Sequence, residues 1–332
     1  MEINNGLIII DSGFDTTNTE LYKSIIGGVS ICDGKINDDF EDLNGHGTAC
    51  TYIARRYNKD INIFMIRVLD QNAKCSIENL IAALEYTKKI NIRTICLSLS
   101  TPTENQELLN ICNELILRGK ILVAALNNNE RISFPAMYEG VIGVRNTHLE
   151  NEFEFWFDNN KEIQCVVDGT PVLVPCIKQE RCFFGGNSKA TPIIASRISR
   201  YLSEDKLLVQ KEIESYLKRD ATKIRYNIDE IDKHIKVKSN KFDKNNKVQV
   251  KIKELVEKTT GKLIDIDLLE KYRLYELGLD KYNTWQLIKD LEFVFDIRLD
   301  YETISLRDFA TIQSINDLVL KYFGGGNHEE WK

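Results

Sequence analysis

Four short apolar runs, each closed by a polar turn, constrain this chain more than any other feature. Residues 7–11, 61–68, 94–99 and 120–125 are continuous hydrophobic stretches of strand length, the pattern of parallel strands covered on both faces. Between them lie amphipathic segments at 46–56, 76–89 and 104–118, the second opened by Ser76, a good helix N-cap, with Asn79 and Leu80 following. This strand–helix repetition predicts an α/β fold, with helices on both faces of a mostly parallel sheet and a functional site at the C-terminal edge of the strands. Asp11 and the turn at 125–129 fall on that edge.

Three polar segments carry the chemistry. LIIIDSG ends a strand on Asp11, NGHGT sets His46 between Gly45 and Gly47, and GGNSKATP sets Ser188 behind Gly185 and Gly186. A serine hydroxyl is a poor nucleophile at neutral pH and needs an imidazole to take its proton. A buried carboxylate then holds that imidazole in the right tautomer. The flanking glycines permit tight entries into helices. Taken singly, DSG is an ordinary strand-end turn and HGT an ordinary helix start with a structural histidine. Together they read as acid, base and nucleophile.

That chain order, Asp11, His46, Ser188, resembles the subtilase family of serine proteases. The resemblance covers about residues 1–220, and it implies a catalytic triad of these residues in a subtilisin-like sheet. It also implies an oxyanion donor in ILVAALNNN: Asn128, or Asn127 if the register is off by one. The backbone N–H of Ser188 would be the second donor. CLSLS resembles the family's substrate-binding edge, which assigns Ser98, Leu99 and Ser100 to an extended peptide. Two family glycines are replaced, by Asn127 and Ser100, which suggests a narrower or more polar pocket. The segment is short for the family, so calcium loops are expected to have been trimmed.

Composition agrees. A length of 332 residues suggests two domains, and 43% hydrophobic content is enough for real cores. The net charge of −6 argues against a polyanion-binding surface, so nucleic acid is not an expected partner. No signal-like segment precedes the first strand, and no apolar run reaches the roughly 18 residues of a membrane span. A cytoplasmic, calcium-independent enzyme is expected, without membrane contact. The eight cysteines are scattered without a CxxC pair, which suits core thiols in a reducing compartment rather than disulfides or a metal site. No cofactor or metal is expected.

Beyond a Lys- and Asn-rich linker at 221–247, residues 248–323 read as a small all-α bundle, followed by a flexible tail at 324–332. The segment ELGLDKYNTWQLIKDLEFVFDIRL, 276–299, resembles helix II of acyl and peptidyl carrier proteins. It departs where those proteins carry the phosphopantetheine serine, because Lys281 stands there. The resemblance implies a carrier-like domain that does not carry, kept for docking, stability or recruitment, with a biosynthetic enzyme as the partner if it docks one. The reading as a whole is a serine endopeptidase acting on a peptide or protein substrate, specifically a precursor in a peptide natural-product pathway. The alternatives are a macrocyclase using the same triad and a non-catalytic scaffold of a biosynthetic complex.

Overall fold

The structure is a computed structural model describing residues 5–127, 132–177, 181–227, 231 and 242–323. The chain divides into two compact units. The first comprises 1–169, 175–180 and 185–234, and the second 170–174, 181–184 and 235–332.

The first unit is built on the expected parallel sheet. Its strands are β1 (Gly6–Asp11), β2 (Ile25–Cys32), β3 (Lys35–Asn37), β4 (Asn62–Arg67), β5 (Thr94–Leu97), β6 (Ile121–Ala125), β7 (Ile142–Thr147), β8 (Phe155–Phe157) and β9 (Cys165–Asp168). The helices are α1 (Thr19–Tyr22), α2 (His46–Tyr57), α3 (Ile77–Thr87), α4 (Gln106–Leu117), α5 (Asn187–Glu204) and α6 (Gln210–Asp220). Strand order runs β8-β9-β7-β6-β5-β1-β4-β2-β3, parallel except where β8 meets β9 and β2 meets β3. β1 lies centrally, paired in parallel with β4 and β5, and all its residues are buried. Ile8 and Ile10 share a core with Leu80 and Leu84 of α3 and Leu108 and Leu115 of α4. Alternation along the strand turns Leu7 and Ile9 the other way. The helices start where capping chemistry puts them: Ser76 accepts the Asn79 N–H at 3.2 Å and Asn105 the Leu108 N–H at 2.9 Å.

The segment expected to be linker differs at both ends. Lys223–Ile224 forms a further strand, β12, parallel to β8 at the sheet edge, and at the other end a helix already begins at Lys247. Two ladder residues cannot announce themselves by periodicity, which is why composition misread them. Residues 228–230 and 232–241 of that stretch, like the tail at 324–332, lie outside the described residues.

The second unit contains α7 (Lys247–Thr260), α8 (Ile266–Lys271), α9 (Thr284–Phe295), a 3₁₀ turn (Leu306–Phe309) and α10 (Ile312–Lys321). Its core takes Ile252 and Val256 from α7, Leu287 and Leu291 from α9, and Ile315 and Val319 from α10. It is not made of C-terminal sequence alone. A hairpin of β10 (Val172–Pro175) and β11 (Arg181–Phe184) contributes Leu173 and Phe183 to that core. Backbone bonds tie it in, from the Leu173 N–H to Ile304 O at 3.2 Å and from the Leu306 N–H to Pro171 O at 2.8 Å. Arg307 donates to the Thr170 hydroxyl at 2.7 Å, and Arg181 stacks over the Tyr301 ring. The hairpin belongs by sequence to the stretch leading into α5, so the second unit includes chain from outside 248–323.

Leu173→Ala should therefore destabilise the helical unit by about 2–5 kcal/mol, as for a truncated core leucine. Hydrogen exchange would show it as lost protection in α7, α9 and α10. The fully exposed Leu263, changed to Ala, should leave that protection unaltered.

Candidate active site

β1 ends on Asp11, whose carboxylate has no solvent exposure. Burying a charge is tolerable only when its oxygens are hydrogen-bonded. Asp11 Oδ1 accepts the Ser12 N–H at 2.7 Å and faces His46 Nδ1 at 2.8 Å, while Oδ2 lies 3.0 Å from the same nitrogen. The Cys50 thiol, one helical turn beyond His46, sits 3.6 Å from Oδ2. Burial first, then the Asp11 charge, pushes that thiol to about 12, so it stays protonated.

His46 is the first residue of α2, and its side chain is 21% exposed. Two features place it. Gly47 passes so close to Gly13 that a Cβ would meet the Gly13 carbonyl oxygen at 2.2 Å, and no side chain fits between the end of β1 and the start of α2. Asp42 supplies the cap, accepting the Ser12 hydroxyl at 2.8 Å and the Gly45 N–H at 2.8 Å on Oδ1, and the Thr48 N–H at 2.9 Å and hydroxyl at 2.6 Å on Oδ2. Ser12 Oγ in turn accepts the Gly47 N–H at 2.9 Å. Strand end and helix start are thus joined by one buried polar network. Burial of the imidazole works against protonation. The Asp11 charge and hydrogen bond, helped by Cys50, outweigh it and hold His46 well above its ordinary 6.5.

Ser188 lies in the first turn of α5, where backbone N–H groups have no intrahelical acceptor. Pro192, four residues on, has no N–H to give the Ser188 carbonyl. That carbonyl instead accepts the Ser98 hydroxyl at 3.3 Å and lies 3.8 Å from Cys50 Sγ. Cys50 Sγ is also 3.8 Å from His46 Nδ1, so Asp11, His46 and Ser188 converge on one buried thiol. Asn187 anchors the turn from the other side: Oδ1 accepts both the N–H and the side-chain amide of Asn146 at 2.6 Å, and its own amide donates to Leu126 O at 2.6 Å.

Of the expected oxyanion donors, Asn128 lies outside the described residues. The Asn127 N–H donates to Ser133 Oγ at 3.0 Å, fixing the main chain there. Ser98 is buried with its hydroxyl donating to the Ser188 carbonyl. Leu99 and Ser100 are half-buried, just before Thr101 and Phe134 exchange backbone bonds of 2.9 Å. Lys281 is exposed in the turn before α9, its ammonium 4.9 Å from the Tyr282 ring centre. No disulfide joins the eight cysteines; burial pushes Cys96 and Cys112 to about 12. Among the described residues, the one group of ligand-type atoms close enough to hold a metal is Asp11, His46 and Cys50. Its donors are already engaged: Nδ1 with Asp11, and sulfur as a thiol. Sequence reasoning passed over Ser12, Asp42, Cys50 and Asn187. Pro192 was legible, since its spacing from Ser188 is a matter of counting.

A buried carboxylate behind an imidazole, beside a serine at a helix start, is the equipment of acyl transfer through a serine. The subtilase family model matches residues 7–249. The chain is 27% identical over 224 residues to the major intracellular serine protease of Bacillus subtilis (strain 168), an alignment covering 62% of this chain and 70% of that protein. The intracellular serine protease of Paenibacillus polymyxa is 24% identical, covering 58% and 64%. Subtilisin E of Bacillus subtilis (strain 168) is 22% identical, covering 64% and 59%. The crystal structure of a cold-adapted subtilisin-like serine proteinase superposes with a TM-score of 0.56 at 18% identity, covering 66% and 86%, a likeness of fold. The chain belongs to the subtilase family of subtilisin-like serine endopeptidases. No helix among the described residues is long and apolar enough to cross a membrane.

Because the folded His46 is raised, its pairing with Asp11 adds stability that is complete below about 6.5 and is lost as pH rises through the folded value. A general base must be unprotonated, so the acid limb of kcat/KM should lie above 6.5. The imidazole titration followed by NMR should match that limb and move down in Asp11→Asn. A wild-type ring titrating at or below 6.5 would contradict this account.

Proposed function

We propose that this chain cleaves peptide bonds through an acyl-enzyme on Ser188. The observation that carries the reading is the fully buried Asp11 carboxylate on Nδ1 of His46, with the Ser188 carbonyl gathered at the same thiol. In the proposed cycle the Ser188 hydroxyl attacks the scissile carbonyl as His46 takes its proton. The leaving amine carries that proton away, and water then resolves the ester by the same route. Asp11 holds the tautomer and balances the imidazolium. The Ser188 N–H and the Asn128 side chain, or Asn127 one register away, are assigned to the oxyanion. The main chain of Ser98, Leu99 and Ser100 is assigned to an extended peptide substrate.

The names of two similar proteins as intracellular proteases support a cytoplasmic site of action. For the substrate we propose a peptide precursor of a natural-product pathway. The helical unit would dock a partner enzyme without carrying phosphopantetheine. Support for this part is the likeness of residues 276–299 to a carrier helix, with Lys281 in place of the serine.

A fluorophosphonate probe should label the wild type, fail on Ser188→Ala and label His46→Ala only weakly; labelling that survives in Ser188→Ala would sink the nucleophile assignment. Asn128→Ala should lower kcat about 10²- to 10³-fold, as loss of the equivalent donor does in subtilisin, with little change in KM. The same loss in Asn127→Ala instead would shift the register by one. Incubation with coenzyme A and a broad-specificity phosphopantetheinyl transferase should leave the intact mass unchanged, and any gain of the cofactor's mass would overturn the non-carrying role.

A further inference from the structure

The residue after Ser188 is a lysine with no solvent exposure, and nothing in the acyl-transfer scheme uses it. Its ammonium lies 3.1 Å from Asp168 Oδ2, and Asp168 is itself only 1% exposed. Asp168 closes β9 at the same sheet edge that carries Asp11, and its Oδ1 accepts the Leu149 N–H at 3.2 Å. The next residue, Gly169, accepts the Gly186 N–H at 2.8 Å and gives its own N–H to Thr147 O at 2.8 Å. The end of β9 therefore grips the nucleophile turn on both sides, at Gly186 before Ser188 and at Lys189 after it. Burial pulls the Lys189 ammonium toward neutrality and Asp168 pulls the other way.

Such a pair is an expensive way to fill space. Desolvating two charges costs much of what their attraction returns, and apolar residues of equal volume are often as stable or more so. What they lack is direction. Around a helix, successive residues are rotated by about 100°, so a side chain pinned at Lys189 fixes the rotation of the first turn and with it the heading of the Ser188 hydroxyl. Asn187 and the Ser188 carbonyl restrain the same turn from β7 and from beyond β5, and the ion pair adds a side-chain restraint from β9.

We propose that Lys189 is a positioning residue, whose buried ion pair with Asp168 orients the nucleophile turn for attack. This rests on Ser188 being the nucleophile. The test uses the full chain and the inactivation kinetics of an alkyl fluorophosphonate, separating the maximal rate from the half-saturating concentration, alongside thermal melting. Lys189→Met alone removes the counter-charge of a buried carboxylate and should melt much lower. The double variant Lys189→Met/Asp168→Asn removes both charges; it should regain most of the melting temperature. Its maximal inactivation rate should stay down by about 10- to 10²-fold, as expected for a reacting group displaced by a fraction of an ångström to one ångström, with half-saturation changed less than threefold. A double variant as stable and as fast as wild type would overturn the proposal. Asp168→Glu, which keeps the charges but moves the carboxylate by one methylene, covers the case where the double variant does not fold. It should slow inactivation at near-normal stability, and an unaltered rate would again overturn the proposal. Ser188→Ala is run beside them. Labelling that survives in it removes the nucleophile reading itself, whereas labelling lost in it but unaffected in the Asp168 and Lys189 variants removes only the positioning role.

Discussion

The buried carboxylate of Asp11 is the constraint from which the rest of the site follows. It lies where β1 stops, with no water to solvate it, so the fold must bring donors to it. Two of them, the imidazole of His46 and the thiol of Cys50, sit one turn apart on α2. The position of α2 against the strand is thereby dictated. Gly13 and Gly47 are in near contact because the carboxylate demands it, and Ser12, Asp42 and Thr48 satisfy the backbone groups that this close approach would leave unpaired. One group's desolvation thus sets the tautomer and direction of the neighbouring imidazole.

The second helix of the site is held by a different means. α5 is buried along its length against the central strands, so its axis cannot drift, but its first turn has a carbonyl that Pro192 leaves without a helical partner. Ser98, Asn187 and Lys189 take up that turn with bonds to separate strand ends. A reacting group on rigid elements, braced by side chains that are themselves packed, is the condition for precise geometry. The turn that carries Ser188 is braced in this way.

The hairpin at β10 and β11 changes what the C-terminal helices are. A segment that lies between two parts of the protease in sequence has Leu173 and Phe183 in the helical core, and Phe184 is followed within four residues by Ser188. A bundle of this size has little apolar surface to bury by itself, and Leu173 and Phe183 extend its core beyond the C-terminal sequence. Domain boundaries drawn along the sequence assume that a core is made of contiguous chain. Here one unit reaches back and takes two strands.

The sequence alone determined whatever depends on neighbours along the chain. Apolar runs of strand length specified β1, β4, β5 and β6, and Ser76 and Asn79 marked the start of α3. Glycines around His46 and before Ser188 marked sharp turns into helices, and the spacing of Pro192 from Ser188 was there to be counted. These are local effects of periodicity, capping and backbone sterics. Only the tertiary structure decided which distant groups meet. Lys189 reads as one more helix residue until Asp168, 21 positions earlier, is found against it. The Ser98 hydroxyl, too, meets a carbonyl 90 positions away that no local pattern could announce. Short strands such as β12, and the hairpin given to the helical unit, carry no period long enough to see. Their places are set by which core has room for them, and a packed core is a property of the whole chain.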